Sequence, residues 1–176
     1  MWVKTQELED GYIHDTDEKI TVEGLNKSSA KLHPAGTVLL AMYGATIGKL
    51  GILASPATCN QACCALIPKR SQFGPEYIFL SLLNRRKDII SLRMGAAQQN
   101  ISQEVIKSFP LLCPKEDVMA SFNHTVHPLL ALIGVIQKKN TNLRNTRDFL
   151  LPKLISGEVL VESADEATAE LVEQTA

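Results

Sequence analysis

Cysteines, histidines and a few glycine-flanked polar loops are the residues of this chain whose types and spacing could do chemistry. Cys59, Cys63 and Cys64 stand together as Cys-x3-Cys-Cys, with Cys113 apart. That spacing matches no common zinc site, and no histidine lies near it in sequence. A thiol nucleophile needs a base within hydrogen-bond reach, and none of the scattered histidines can be assigned to Cys59. His124 and His127 could share a helical face, but no carboxylate or thiol is spaced as a third ligand, so a solvated helix face is expected. Gly44-Ala-Thr-Ile-Gly48-Lys49 has the composition of a phosphate loop without the Gly-x4-Gly-Lys-Ser/Thr spacing. No catalytic residue and no metal ligand is assigned.

What the loops do offer is amides, hydroxyls and bases. They stand at Lys27-Ser-Ser-Ala-Lys31, Tyr43 to Lys49, Asn60-Gln61 and Gln98-Gln99-Asn100. Asn and Gln can pair bidentately with adenine, while Ser, Thr and Lys hold phosphates, so the inventory suits loops that read nucleic acid. The same residues also populate ordinary turns. Charge sharpens the choice. The formal net charge is −1, but residues 1–23 carry −5, residues 24–157 carry +10 and residues 158–176 carry −6. A basic block between acidic ends can present a polyanion with a local surface that the total conceals.

The elements that must position these loops follow from pattern. With 176 residues, 45% hydrophobic and 21% charged, the chain can bury a core without disulfides. The start MWVKTQELED has neither a basic n-region nor an apolar h-region, and runs such as Leu129 to Ile136 are far shorter than the ~20 residues of a membrane helix. A secretory signal and a membrane span are therefore not expected, and the thiols are expected to be reduced in the cytoplasm. Thr37 to Tyr43, Lys49 to Ala54 and Ala62 to Ile67 read as strands joined by glycine turns. Pro75 suits the first turn of a helix running to about Met94 and stopped by Gly95. Ser102 can cap a short helix to Ser108, and Phe109 to Cys113 reads as a returning strand.

From Pro114 the period changes. Met119, Phe122, Val126, Leu129, Ile133, Ile136, Asn140, Leu143, Arg147 and Leu150 recur in steps of three and four through five heptads. Leucine-type residues at d argue for a coiled coil, and Asn140 at an a position would penalise wrong registers. Pro128 falls at c, outside the seam, so the reading is one helix of about 48 Å, with a break at His127-Pro128 as the rival. The seam lacks a second stretch in this chain to pair with. The predicted architecture is α+β: a small mixed or antiparallel β domain with short helices over 1–115, a coiled-coil helix over 116–151, and a C-terminal segment over 152–176 ending in a loose acidic tail.

The blocks GTVLLAMYGATIGKLGIL, CNQACCALIP, GAAQQNIS and NTRDFLLPKLISGEVLVE, in that order, resemble the specificity subunit of type I restriction-modification enzymes. The likeness runs from Trp2 to about Glu162. It implies a target-recognition domain followed by a spacer helix, where a full subunit has two of each and its helices pair antiparallel. It further implies a non-catalytic chain that reads half of a split double-stranded DNA target. Such a chain docks methyltransferase subunits and, through them, a restriction subunit; S-adenosylmethionine, ATP and magnesium belong to those partners. This chain holds one domain–helix unit with a recognition domain expected to be incomplete at its N-terminus, and half-length members are expected to dimerise. The residues assigned to DNA are Lys27, Lys31, Lys49 and Arg93 for phosphates, and Ser28, Thr46, Gln61, Gln98 and Asn100 for loop or base contacts. Phe122, Val126, Leu129, Ile133, Ile136, Asn140, Leu143 and Leu150 are assigned to dimerisation. The rival within the resemblance is a coiled-coil interaction protein that dimerises or binds methyltransferase subunits without reading DNA.

Overall fold

The computed structural model describes residues 1–70, 72–93 and 100–160. Among these lie the strands β1 (Trp2–Val3), β2 (Gly11–Ile13), β3 (Val38–Ala41), β4 (Leu50–Leu53), β5 (Thr58–Cys59) and β6 (Cys63–Leu66). The helices are α1 (Val22–Asn26), α2 (Pro75–Asn84), α3 (Arg86–Ser91), α4 (Gln103–Ser108) and α5 (Glu116–Ile155). The chain divides into two compact units, Met1–Gly134 and Val135–Ala176.

In the first unit everything is arranged around β3, whose four residues are all 0% exposed. Successive strand side chains point to opposite faces, so Val38 and Leu40 enter a core with Leu50, Ile52, Phe79, Leu82, Ile89, Ile101 and Ile106. Leu39 and Ala41 enter a second core with Val3, Leu8, Ile13, Leu53, Ala57 and Cys63. Covering both faces is what makes the run continuously apolar rather than alternating. β3 pairs antiparallel with β4, Leu39 opposite Gly51, and antiparallel with β6, Leu40 opposite Cys64. β2 adds in parallel outside β4, giving a mixed sheet in the order β2-β4-β3-β6, while β1 and β5 form a separate parallel pair. The α+β architecture is as the sequence implied, with the three expected strands each trimmed at both ends.

Two expectations for the segment between β6 and α5 are corrected. The helix beginning at Pro75 does not continue to Met94: it bends at Arg85 (ψ 21°) and resumes as α3. On an unbroken helix Arg86 would lie on the buried face between Leu82 and Ile89. The bend lets Ile89 bury while Arg86 reaches an acidic partner, and the anticipated stop at Met94–Gly95 lies outside the described residues. Phe109–Cys113 is not a strand. Pro110 removes one ladder donor. The segment is held by side chains instead: Arg85 donates to the Pro110 carbonyl, and Tyr77 Oη donates to the Leu112 carbonyl at 2.9 Å. Ser102 does cap α4, accepting from the Val105 N–H at 3.3 Å.

α5 begins at Glu116 as expected, is not broken at Pro128, and runs through Pro152 to Ile155 rather than ending near Leu151. It closes on Gly157 at φ +73°, with the Val159 N–H bonded back to the Lys153 carbonyl. Its first half docks within the first unit. Met119 is buried, Phe122 meets Tyr77 edge-on at 5.5 Å, and Asn123 Nδ2 donates to the Gln72 carbonyl at 3.0 Å. His124 and His127 lie on an exposed face, as expected, and His127 also reaches buried Glu76, Nδ1 to Oε1 2.8 Å. Beyond these anchors the apolar positions are open: Leu129, Ile133, Ile136 and Leu143 are 46–67% exposed. No Asp, Glu, Lys or Arg stands between Asp117 and Lys138. By length and composition alone α5 is therefore apolar enough to cross a bilayer, which the short uninterrupted runs had not suggested.

Candidate nucleic-acid interface

The C-terminal end of β3 gathers three of the polar loops singled out in the sequence. The Met42 N–H donates to the Ala62 carbonyl at 2.8 Å and the Ile101 N–H to the Met42 carbonyl at 3.0 Å. Tyr43 forms a bridge with Asn100. These bonds place the Tyr43–Lys49 turn, Gln61 and Asn100 at one end of the sheet. Lys27, Ser28 and Lys31 precede His33, which bridges Ala57 beside the opposite end of β3. The structure thus brings Thr46, Lys49, Gln61 and Asn100 together and leaves the Lys27–Lys31 loop apart. Arg93 is exposed just past α3, and Gln98 lies outside the described residues.

The turn itself is a single 3₁₀ turn over Gly44–Thr46, closed from within. The N–H of Ile47 bonds to Gly44, that of Lys49 to Thr46 and that of Gly48 to Ala41. The amides of Ile47, Gly48 and Lys49 are thereby spent within the turn and on β3. Gly48 has φ +81°, and a Cβ there would come within 2.9 Å of Ile90 Cγ1. Tyr43, Gly44 and Ala45 form the exposed tip, and Thr46 Oγ1 is 3.5 Å from the Tyr43 carbonyl.

Of the assigned cations, Lys27 pairs with Glu23 at 2.6 Å on α1, a contact at the surface. Ser28 Oγ accepts from the Ala30 N–H at 3.3 Å, and Lys31 is exposed. Lys49 is different. Its Nζ lies 3.0 Å from Asp10 Oδ2, and Arg86 also pairs with Asp10. Asp10 and Arg86 were not assigned from the sequence. They stand 39 and 37 residues from Lys49, and no local pattern joins them. Burial raises the Asp10 carboxyl, but the Leu50 N–H, Arg86 and Lys49 outweigh it and hold it below the ordinary carboxylate value.

Thiol chemistry at Cys59, Cys63 and Cys64 is disfavoured by their burial. All four are free; burial pushes Cys59 up to about 11 and Cys63 up to about 12, and raises Cys64. Among the described residues no three His, Cys, Asp or Glu side chains cluster as metal ligands.

Against known proteins, a family model described as the type I restriction modification DNA specificity domain matches residues 2–145. The chain is 27% identical over 153 residues to the HindI type I restriction enzyme specificity subunit of Haemophilus influenzae, covering 84% of this chain and 32% of that protein. It is 23% identical over 163 residues to the MjaIX specificity subunit of Methanocaldococcus jannaschii, covering 92% and 38%. A solved structure from work on complex assembly and conformational transition of the type I R-M system matches 86% of this chain and 37% of its own, with TM-score 0.50 at 12% identity, a likeness of fold. The chain spans about a third of the length of the curated relatives it matches.

Proposed function

This chain belongs to the type I restriction modification DNA specificity family, and on that premise we propose that it recognises a DNA sequence for a type I restriction-modification complex. The family match over residues 2–145 carries the reading. The polar turn of Tyr43–Lys49, set beside Gln61 and Asn100 at one sheet end, supports it. Thr46, Gln61, Gln98 and Asn100 are the proposed reading residues, with Lys49 and Arg93 on phosphates near them. Lys27, Ser28 and Lys31 form a second, separate contact.

The chain itself is proposed to be non-catalytic and cytoplasmic. It docks methyltransferase subunits and through them a restriction subunit, and those partners supply S-adenosylmethionine, ATP and magnesium. Two copies pair through the open seam of α5, over Leu129, Ile133, Ile136, Asn140, Leu143 and Leu150. The charge-free stretch of α5 is engaged by the first unit through Met119, Phe122, Asn123 and His127, which suits a protein partner better than lipid. Phe122, assigned to the seam, is already engaged by Tyr77, and Val126 is half-buried.

A random duplex pool passed over the purified chain, with and without a methyltransferase subunit, and then sequenced, tests the reading. Enrichment of a symmetric split motif is the expected result. A single short motif would keep DNA recognition and remove the dimer. No enrichment in either condition would overturn the reading in favour of a coiled-coil interaction protein.

A further inference from the structure

Asp10 is the one residue other than glycine with positive φ (63°) among the described residues. An L-residue in that region is uncommon and costs about 1 kcal/mol or more, and it persists where the surroundings over-determine it. Here three elements do so. The Asp10 N–H donates to the Leu50 carbonyl at 2.8 Å, and the Leu50 N–H returns a bond to Asp10 Oδ1 at 3.0 Å. This two-way bond ties the residue before β2 to the start of β4. Oδ2 takes Lys49 Nζ from the end of the glycine turn, and Oδ1 takes Arg86 from the start of α3. The aliphatic stem of Arg86 and Ile90 of the same helix lie under Gly48. The turn is therefore seated between a carboxylate and a helix, and its tip from Tyr43 to Ala45 is exposed.

The charges carry the second half of the argument. Lys49 ends the turn and Arg86 packs under it, and the one carboxylate of Asp10 pairs with both cations, neutralising half of their charge. The Lys49 side chain is still 45% exposed, so it can face a phosphate while Asp10 restrains it. We propose that Asp10 is the positioning residue of the Tyr43–Lys49 turn, fixing its geometry for base reading and holding back the sequence-independent attraction of Lys49 and Arg86. This rests on the DNA-recognition reading above. Sequence discrimination comes from a rigid turn, and non-specific affinity comes from phosphate charge, so one residue that stiffens the first and mutes the second raises their ratio.

The test compares wild type with Asp10→Asn on two duplexes: the one most enriched by wild type from the random pool, and a scramble of it. Asn tolerates positive φ and keeps an acceptor for the Leu50 N–H, so the backbone is preserved while the charge is lost. The scramble is expected to bind at least threefold tighter, with a salt slope steeper by up to about one unit, while the preference for the enriched duplex falls about tenfold. Unchanged preference, or unchanged affinity for the scramble, overturns the proposal. Should Asp10→Asn fail to fold by circular dichroism, Arg86→Gln decides: it breaks one arm of the clamp and must lower the preference without tightening the scramble. A wild type that enriches no duplex overturns both this proposal and the reading beneath it; enrichment by wild type with an unaltered Asp10→Asn preference overturns this proposal alone.

Discussion

Cys113 and Cys64 show how environment, rather than residue type, sets what a thiol can do. Cys113 is exposed, its Sγ 3.7 Å from Arg70 Nη1, whereas Cys64 and Cys63 sit in the two cores flanking β3. The thiolate is the reactive form, and burial disfavours it. At pH 8 iodoacetamide should therefore modify Cys113 rapidly, with Cys59, Cys63 and Cys64 slower by at least tenfold until the protein is unfolded in urea. Peptide mass mapping over time reads the order; fast labelling of Cys63 in the folded state would contradict the burial assigned to it. The same scale explains Asp10. The carboxyl is held below its ordinary value by the Leu50 N–H and two cations against the effect of burial, so its contribution to stability is present above about pH 4. It is lost as pH falls through the lower folded value.

Among elements, α5 meets β2 and the residue after it at Gly134. Tyr12 packs its ring on Gly134, and His14 Nε2 lies 2.9 Å from the Gly134 carbonyl. A Cβ at Gly134 would come within 2.9 Å of Tyr12 Cδ2 and 3.3 Å of Cγ. Alanine gains ~1 kcal/mol of helix propensity over glycine, but forcing a ring carbon out of place costs about 1–3 kcal/mol. Gly134→Ala is therefore expected to destabilise by roughly 1 kcal/mol in urea unfolding. In a Tyr12→Leu background the clash is gone and the same change should stabilise, a sign reversal that only direct contact produces.

The elements also show what the sequence made legible and why. The buried strands were readable because β3, β4 and β6 are short apolar runs bounded by glycine or proline, and α5 because its period persisted over many turns. The bend at Arg85 was not, since the residue that follows it, Arg86, pairs with a residue 76 positions earlier that no local pattern points to. Phe109–Cys113 has strand composition, but what holds it is Arg85 and Tyr77 from another helix. β1 and β5 were missed because strands of two residues carry no periodicity. At the candidate interface the polar loops were legible by composition. Their meeting at one end of the sheet was not, because it depends on backbone bonds between segments dozens of residues apart.

At the scale of the whole molecule, the unsettled surface is the apolar side of α5. Ile136 and Leu143 are d positions of the seam, 46% and 67% exposed, and neither belongs to the two cores of the first unit. A helix carrying such residues gains little from folding alone; each would contribute ~1.5–3 kcal/mol if fully covered by a partner. Asn140 at the a position between them favours pairings in which two amides meet, which limits register at some cost in strength. Under the proposed pairing, Ile136→Asp and Leu143→Asp each place a charge in the seam and should weaken association by at least a hundredfold. Asn140→Ile should tighten it and broaden the distribution of oligomers. Sedimentation equilibrium measures both, and circular dichroism on the same samples checks that the sheet unit is intact. Since a split target requires two recognition units, the Asp variants should also lose the symmetric motif while keeping its half. A chain that sediments as a monomer before any substitution would leave the seam to a different helix, and the methyltransferase subunit would then be the partner to test against it.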